Sequence, residues 1–109
     1  MPRLIIRGLT VEQVCQISVS LVDQLALICA CSREDFTLEC VQHPAIFDGQ
    51  IVPTYPFIEV AWFERGEQVR EQVAVALTSH VHGLGIPEVE VAFITYSQDA
   101  YFNNGISFK

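Results

Sequence analysis

Charge is scarce in this chain. Charged residues make up 17% of its 109 residues, and 6 basic side chains stand against 13 acidic ones for a net charge of −7. An ordinary soluble domain carries about 25%. So few Lys and Arg exclude nucleic acid and anionic membrane surfaces as partners, because both are held by clustered cations. Long apolar runs look absent as well. Asp, Gln, Ser or Arg interrupts each stretch within about ten residues, short of the roughly 20 that a bilayer needs, so no membrane span is expected. No apolar leader with a small-residue cleavage site is seen, since Met1-Pro2-Arg3 runs directly into a short strand; the expected location is the cytoplasm. Gly-rich phosphate loops, nucleophile elbows and His-Asp-Ser sets are missing.

Cysteine is present four times, at 15, 29, 31 and 40. Without a secretory context these are not read as disulfides. Cys15 and Cys29 fall in an apolar helical pattern and Cys40 in a strand, so they are expected to be small buried hydrophobes. Cys29-Ala30-Cys31 is the one close pair, and no second pair completes a zinc tetrahedron. His80 and His82 lie about 200° apart on a helix and cannot share one ion. His80 is expected to be buried and hydrogen-bonded, His82 solvated, and His43 a loop residue able to line a pocket. No metal and no cofactor is called for.

What is abundant is apolar surface: 50% of the chain is hydrophobic and its mean hydropathy is +0.33. One small domain, residues 1–109, has too little volume to hide this much. The excess points to an oligomer or a wide pocket.

The pattern alternates between two periods. Arg3 to Arg7 reads as a strand ended by Gly8. Thr10-Val11-Glu12-Gln13 fits a capping box, with Leu9 and Val14 placed as a hydrophobic staple. Val14, Ile17, Leu21, Leu25 and Ile28 then mark one face of a helix over Glu12–Ala30. Phe36, Leu38 and Cys40 alternate as a strand. Ile46-Phe47 and Ile51-Val52 flank Asp48-Gly49 in a small hairpin standing out from the core. Phe57 to Phe63 is apolar on both faces except for Glu59, as a central strand would be. Glu59 must pair with Arg3, Arg7 or Arg33, or face a cavity. Trp62 and Phe63 are expected in the core or at an interface. A second helix, Glu67–Val81, ends at Gly83 and Gly85. A last long strand carries Val89, Val91 and Phe93, and Asn104-Gly105 turns a short tail hairpin.

The two halves echo each other. Pro2 and Pro56 open the first strands; Glu12-Gln13-Val14 and Glu67-Gln68-Val69 open the helices at nearly the same offset. The expected class is α/β (α+β): duplicated β-α-β units over residues 2–43 and 56–97, a connecting hairpin excursion at 44–55 and a tail at 98–109. Each unit holds its two strands parallel. A four-stranded sheet then carries both helices on one face and leaves the other bare and largely apolar, to be covered by another copy of the chain.

Duplicated β-α-β halves, Pro directly after Met1, and a tail rich in aromatic and Asn residues resemble the tautomerase superfamily, in its macrophage migration inhibitory factor-like branch. Pro56-Phe57-Ile58-Glu59-Val60-Ala61-Trp62-Phe63-Glu64-Arg65-Gly66 and Phe102-Asn103-Asn104-Gly105 resemble a small uncharacterised bacterial family of that fold. The resemblance implies a homotrimer with active sites near Pro2 at subunit boundaries. It also implies an isomerase that moves a proton on a small-molecule carbonyl or carboxylate compound by keto-enol chemistry. Removal of Met1 would leave Pro2 as a secondary amine, whose pKa falls on burial beside cations, and a neutral amine is a usable base. Where the long-chain branch often has Lys after the first helix, Ser32 stands here with Arg33 next to it. The implied site therefore combines Pro2 as base, Arg33 or Arg7 as anion anchor, and Tyr101 and Asn103 of the tail, the tail being supplied by a neighbouring subunit. The alternative is a non-catalytic trimeric binding or scaffold protein that keeps the fold.

Overall fold

The computed structural model describes all residues, 1–109. Strand β1 (Arg3–Arg7) leads into helix α1 (Val11–Cys29), strand β2 (Thr37–Val41), the hairpin β3 (Ala45–Phe47) and β4 (Gln50–Val52), and strand β5 (Phe57–Trp62). Helix α2 (Glu67–His82), strand β6 (Glu90–Thr95) and the tail hairpin β7 (Phe102–Asn103) and β8 (Ile106–Ser107) complete the chain. The four long strands lie in the order β2-β1-β5-β6. Within each half the strands are parallel, and the halves join through an antiparallel β1–β5 pair that sets Arg3 opposite Ala61 and Arg7 opposite Phe57.

Local chemistry explains the element ends. The Gln13 amide donates to Thr10 Oγ1 at 3.1 Å while the Thr10 amide donates to Gln13 Oε1 at 2.9 Å, so two otherwise unpaired donors of the first helical turn are satisfied reciprocally. Gly8 has φ +85°, and a β-carbon there would sit 2.6 Å from the Tyr55 carbonyl oxygen. Only glycine lets β1 exit while the chain entering β5 passes so close.

The core is one layer between the sheet and the helices. Leu4 and Ile6 of β1, Ile58, Val60 and Trp62 of β5, the stripe Val14, Ile17, Leu21 and Leu25 of α1, and Val73, Ala76, Leu77 and Val81 of α2 form it. Phe36, Leu38, Cys40, Val91 and Phe93 pack at its margins. By length and hydropathy α1 does meet the requirement for a membrane span, at 19 residues with a mean of 1.2. This corrects the expectation that no segment is long enough. Its polar residues are spread so that the average stays high, and the stripe they leave free packs on the sheet.

Two further expectations change. The face turned away from the helices is not largely apolar. Ile5, Val41, Phe57, Ala61, Ala92 and Ile94 share it with Arg3, Arg7, Thr37, Glu39, Glu59 and Glu90. Nor are the cysteines buried. Cys15 is exposed and the other three are half-buried, because Cys15 lies just off the packed stripe and Cys29 and Cys31 sit where the helix runs off the edge of the core.

Helix α1 ends on a residue that favours glycine but is not one. The Ala30 amide donates to Leu27 O and the Cys31 amide to Ala26 O at 3.3 and 3.1 Å, the paired bonds of a Schellman motif. Ala30 is held left-handed at φ 53°, ψ 48°. Ala30→Gly should therefore raise stability by about 1 kcal/mol, read as a higher urea midpoint with an unchanged m-value.

Candidate functional site

The N-terminal end of β1 is where separate segments converge. Pro2 is fully buried, and its carbonyl accepts from the Thr37 amide at 3.1 Å. The antiparallel register reaches Arg3–Ala61, which directs the end of β5 at Trp62, and Phe63 after it, toward Met1 and Pro2. The Tyr96 amide donates to the Trp62 carbonyl at 2.7 Å and ties the end of β6 to the same place. Just past β5, Arg65 folds back: its guanidinium lies 5.2 Å over the Trp62 ring and donates to the Phe63 carbonyl at 3.0 Å. The C-terminus of α1 brings Cys29 and Cys31 from above.

Electrostatics at this end favour an uncharged amine. The Met1 ammonium is destabilised, its pKa falling below the ordinary 8.0, first by burial and next by the charge of Arg65; Asp35, Cys31 and Cys29 oppose the shift. Burial also pushes the Cys29 thiol up, with Arg65 pulling the other way. One cation thus acts on both the terminal nitrogen and a neighbouring thiol. Inside the core, the Trp62 indole N–H is buried without a partner.

Aromatic side chains wall one side. Tyr101 packs against Phe63, Tyr96 and Phe108 with ring centroids 5.1, 5.3 and 5.0 Å apart, and Phe63 meets Phe108 at 5.5 Å. Within the single chain the tail packs on Phe63, just past β5, and this brings Tyr101 to the Pro2 end. Asn103 is exposed on the hairpin.

The two arginines expected beside Pro2 are committed elsewhere. Arg33 Nε donates to Asp23 Oδ1 at 2.6 Å and its Nη2 to the Val19 carbonyl at 3.5 Å, on the outer flank of α1. Arg7 lies at the far end of β1, about 17 Å away at some 3.3 Å per residue, where Nη1 pairs with Glu59 Oε1 at 2.7 Å. Glu59 is thus a paired carboxylate of the open sheet face. Arg65 is the cation the sequence reading missed. Arg65 is distant from Pro2 along the chain, and the β1–β5 pairing carries it there. Its one signal is position, a basic residue in the Glu64-Arg65 pair that closes an almost wholly apolar stretch.

Other sequence candidates fall outside this site. His80 is half-buried, its ring bridging Ser20 Oγ at 3.0 Å and the Ala76 carbonyl at 2.9 Å; His82 is exposed. His43 lines a groove of about 470 Å³ formed with Gly8–Thr10 and Ile51–Thr54, at the opposite end of β1. No groove on the single chain includes Pro2 or Arg65.

The family model described as Domain of unknown function (DUF1904) matches residues 1–107. A crystal structure of a DUF1904 domain from Sebaldella termitidis is similar at 30% identity and a TM-score of 0.92, over 98% of this chain and 99% of that one. Similar in fold are Pt0534 inactivated by 2-oxo-3-pentynoate (20% identity, TM-score 0.76, 98% and 94% coverage) and a fused 4-OT described as an asymmetric trimer (14%, 0.81, 97% and 95%). The fold is that of tautomerases and macrophage migration inhibitory factor homologues. Among curated proteins none matches.

Tyr101→Ala should cost about 2–3 kcal/mol, since it deletes three aromatic contacts of roughly 0.5–1.5 kcal/mol each. Arg33→Ala should change stability by no more than about 1 kcal/mol, its ion pair being exposed. Urea unfolding of the two variants checks the contrast.

Proposed function

The chain belongs to the DUF1904 family, and on that premise we propose that it is a keto-enol tautomerase acting on a small carbonyl compound with an anionic group. Pro2, freed by removal of Met1, is the base, and Arg65 replaces Arg33 and Arg7 as the anion anchor. The observation that carries this reading is the burial of Pro2 at a sheet end where burial first, and Arg65 next, lower the proton affinity of the Met1 amine.

The chemistry follows from that arrangement. A neutral secondary amine takes the proton α to the substrate carbonyl. Negative charge then grows on the carbonyl oxygen, and a nearby guanidinium stabilises it more in the transition state than in the ground state. Tyr101 and Phe63 flank the substrate with apolar area. Pt0534, inactivated by 2-oxo-3-pentynoate, shares the fold, which supports a 2-oxo acid as the substrate type to try first.

Self-association belongs to the same reading. The fused 4-OT neighbour is described as a trimer. In this chain Ile46, Phe47 and Ile51 of the β3–β4 hairpin are 70%, 74% and 77% exposed, and Phe102 and Ile106 of the tail are also exposed. A homotrimer would cover these arms and give the Pro2 end the walls that the single chain lacks. Retention of Met1 favours the second reading, a trimeric binding module, because the Pro2 nitrogen is then an amide with no basic lone pair.

Enol-to-keto conversion of a 2-oxo acid, followed by ultraviolet absorbance on Met1-free protein, tests the proposal. Arg65→Ala should lower kcat/KM about 10–100-fold, the loss of one charged hydrogen bond of roughly 1.5–3 kcal/mol, while Arg33→Ala leaves it unchanged. Absence of turnover in Met1-free trimer, or equal turnover in the Arg65 variant, overturns it.

A further inference from the structure

The Cys29-Ala30-Cys31 pair is a feature that the tautomerase reading does not use. The two half-buried thiols sit at the tip of α1, where they share the neighbourhood of Arg65 and the terminal amine. Their geometry is governed by Ala30. Two trans peptides each span about 3.8 Å. An extended central residue would separate the flanking Cα atoms by about 7 Å, beyond the roughly 4.4–6.8 Å that a disulfide bridges. The helical-sense turn of Ala30 at φ 53°, ψ 48° brings them to about 5.4 Å, inside that range. An alanine held where glycine is favoured, between two cysteines at the edge of the candidate site, is local strain with a chemical use.

We propose that Cys29 and Cys31 form a thiol-modification site that small-molecule disulfides, such as glutathione disulfide, oxidise to an intramolecular Cys29–Cys31 bond. Burial raises the Cys29 thiol pKa above its ordinary value and makes it the poorer first nucleophile, so the first attack is assigned to Cys31. Its thiolate attacks one sulfur of the oxidant and expels a glutathione thiolate, leaving a mixed disulfide. Cys29 then displaces the second glutathione. Two protein thiols lose two electrons and two protons; one glutathione disulfide gains them and becomes two glutathiones. The other cysteines lack a partner for the second step. Cys15 is exposed and alone, and Cys40 donates to the Leu9 carbonyl at 3.4 Å with Gln42 against its sulfur.

The experiment treats the full chain with enough glutathione disulfide to modify exposed Cys15 completely, then maps free thiols by alkylation and mass spectrometry. It does not depend on turnover, so its failure leaves the tautomerase reading untouched. The expected result is one glutathione on Cys15, with Cys29 and Cys31 both protected from alkylation, carrying no glutathione and released by dithiothreitol. In Cys29→Ser, Cys31 should instead retain a glutathione adduct. The proposal is overturned if Cys15 is modified while Cys29 and Cys31 stay alkylatable, or if each of them carries its own adduct.

Discussion

The antiparallel pairing of β1 with β5 is the constraint on which the rest depends. It is the seam between the two β-α-β halves, and its register decides what meets Pro2. With Arg3 opposite Ala61, the residues that follow β5 fall beside the N-terminus and Arg65 can fold over Trp62 toward it. A shift by one residue would exchange the two faces of β5. Ile58, Val60 and Trp62 would leave the core, and Glu59 would enter it unpaired. The apolar packing that stabilises the sheet is therefore also what sets the cation beside the amine.

Burial and charge then act together at that end. Removing a nitrogen from water disfavours its protonated form, and a nearby guanidinium adds to the effect. Neither requires a dedicated catalytic loop. The tail contributes by packing: Tyr101 and Phe108 close on Phe63, with Tyr96 against Tyr101, and they hold the chain just past β5 in place. The open sheet face carries the part-buried Arg7–Glu59 pair at 2.7 Å.

Much of this was legible along the chain because its causes are local. The Thr10–Gln13 capping box, the Val14-Ile17-Leu21-Leu25 stripe and the Asp48-Gly49 and Asn104-Gly105 turns each depend on residues a few positions apart, and the echo between halves is a local pattern repeated. Pro2 stands out only through the resemblance to the tautomerase superfamily. Arg65 does not stand out, since its approach to Pro2 rests on a strand pairing across more than fifty positions, and pattern alone does not state which edges of two strands join. Arg33 looked available because nothing in sequence order announces that Asp23, one face of the preceding helix, claims it. The cysteines were misjudged for a related reason. Their neighbours are apolar, but they lie off the packed stripe or past the end of the core.

The central claim is that the fold makes the nitrogen of Pro2 a weak base through burial and Arg65. A pH titration of that nitrogen by NMR, on protein lacking Met1 and on its Arg65→Ala variant, tests it most directly. The account predicts a pKa below the ordinary α-amino range of about 8 in the parent and a higher one in the variant. An ordinary value in both proteins would contradict it.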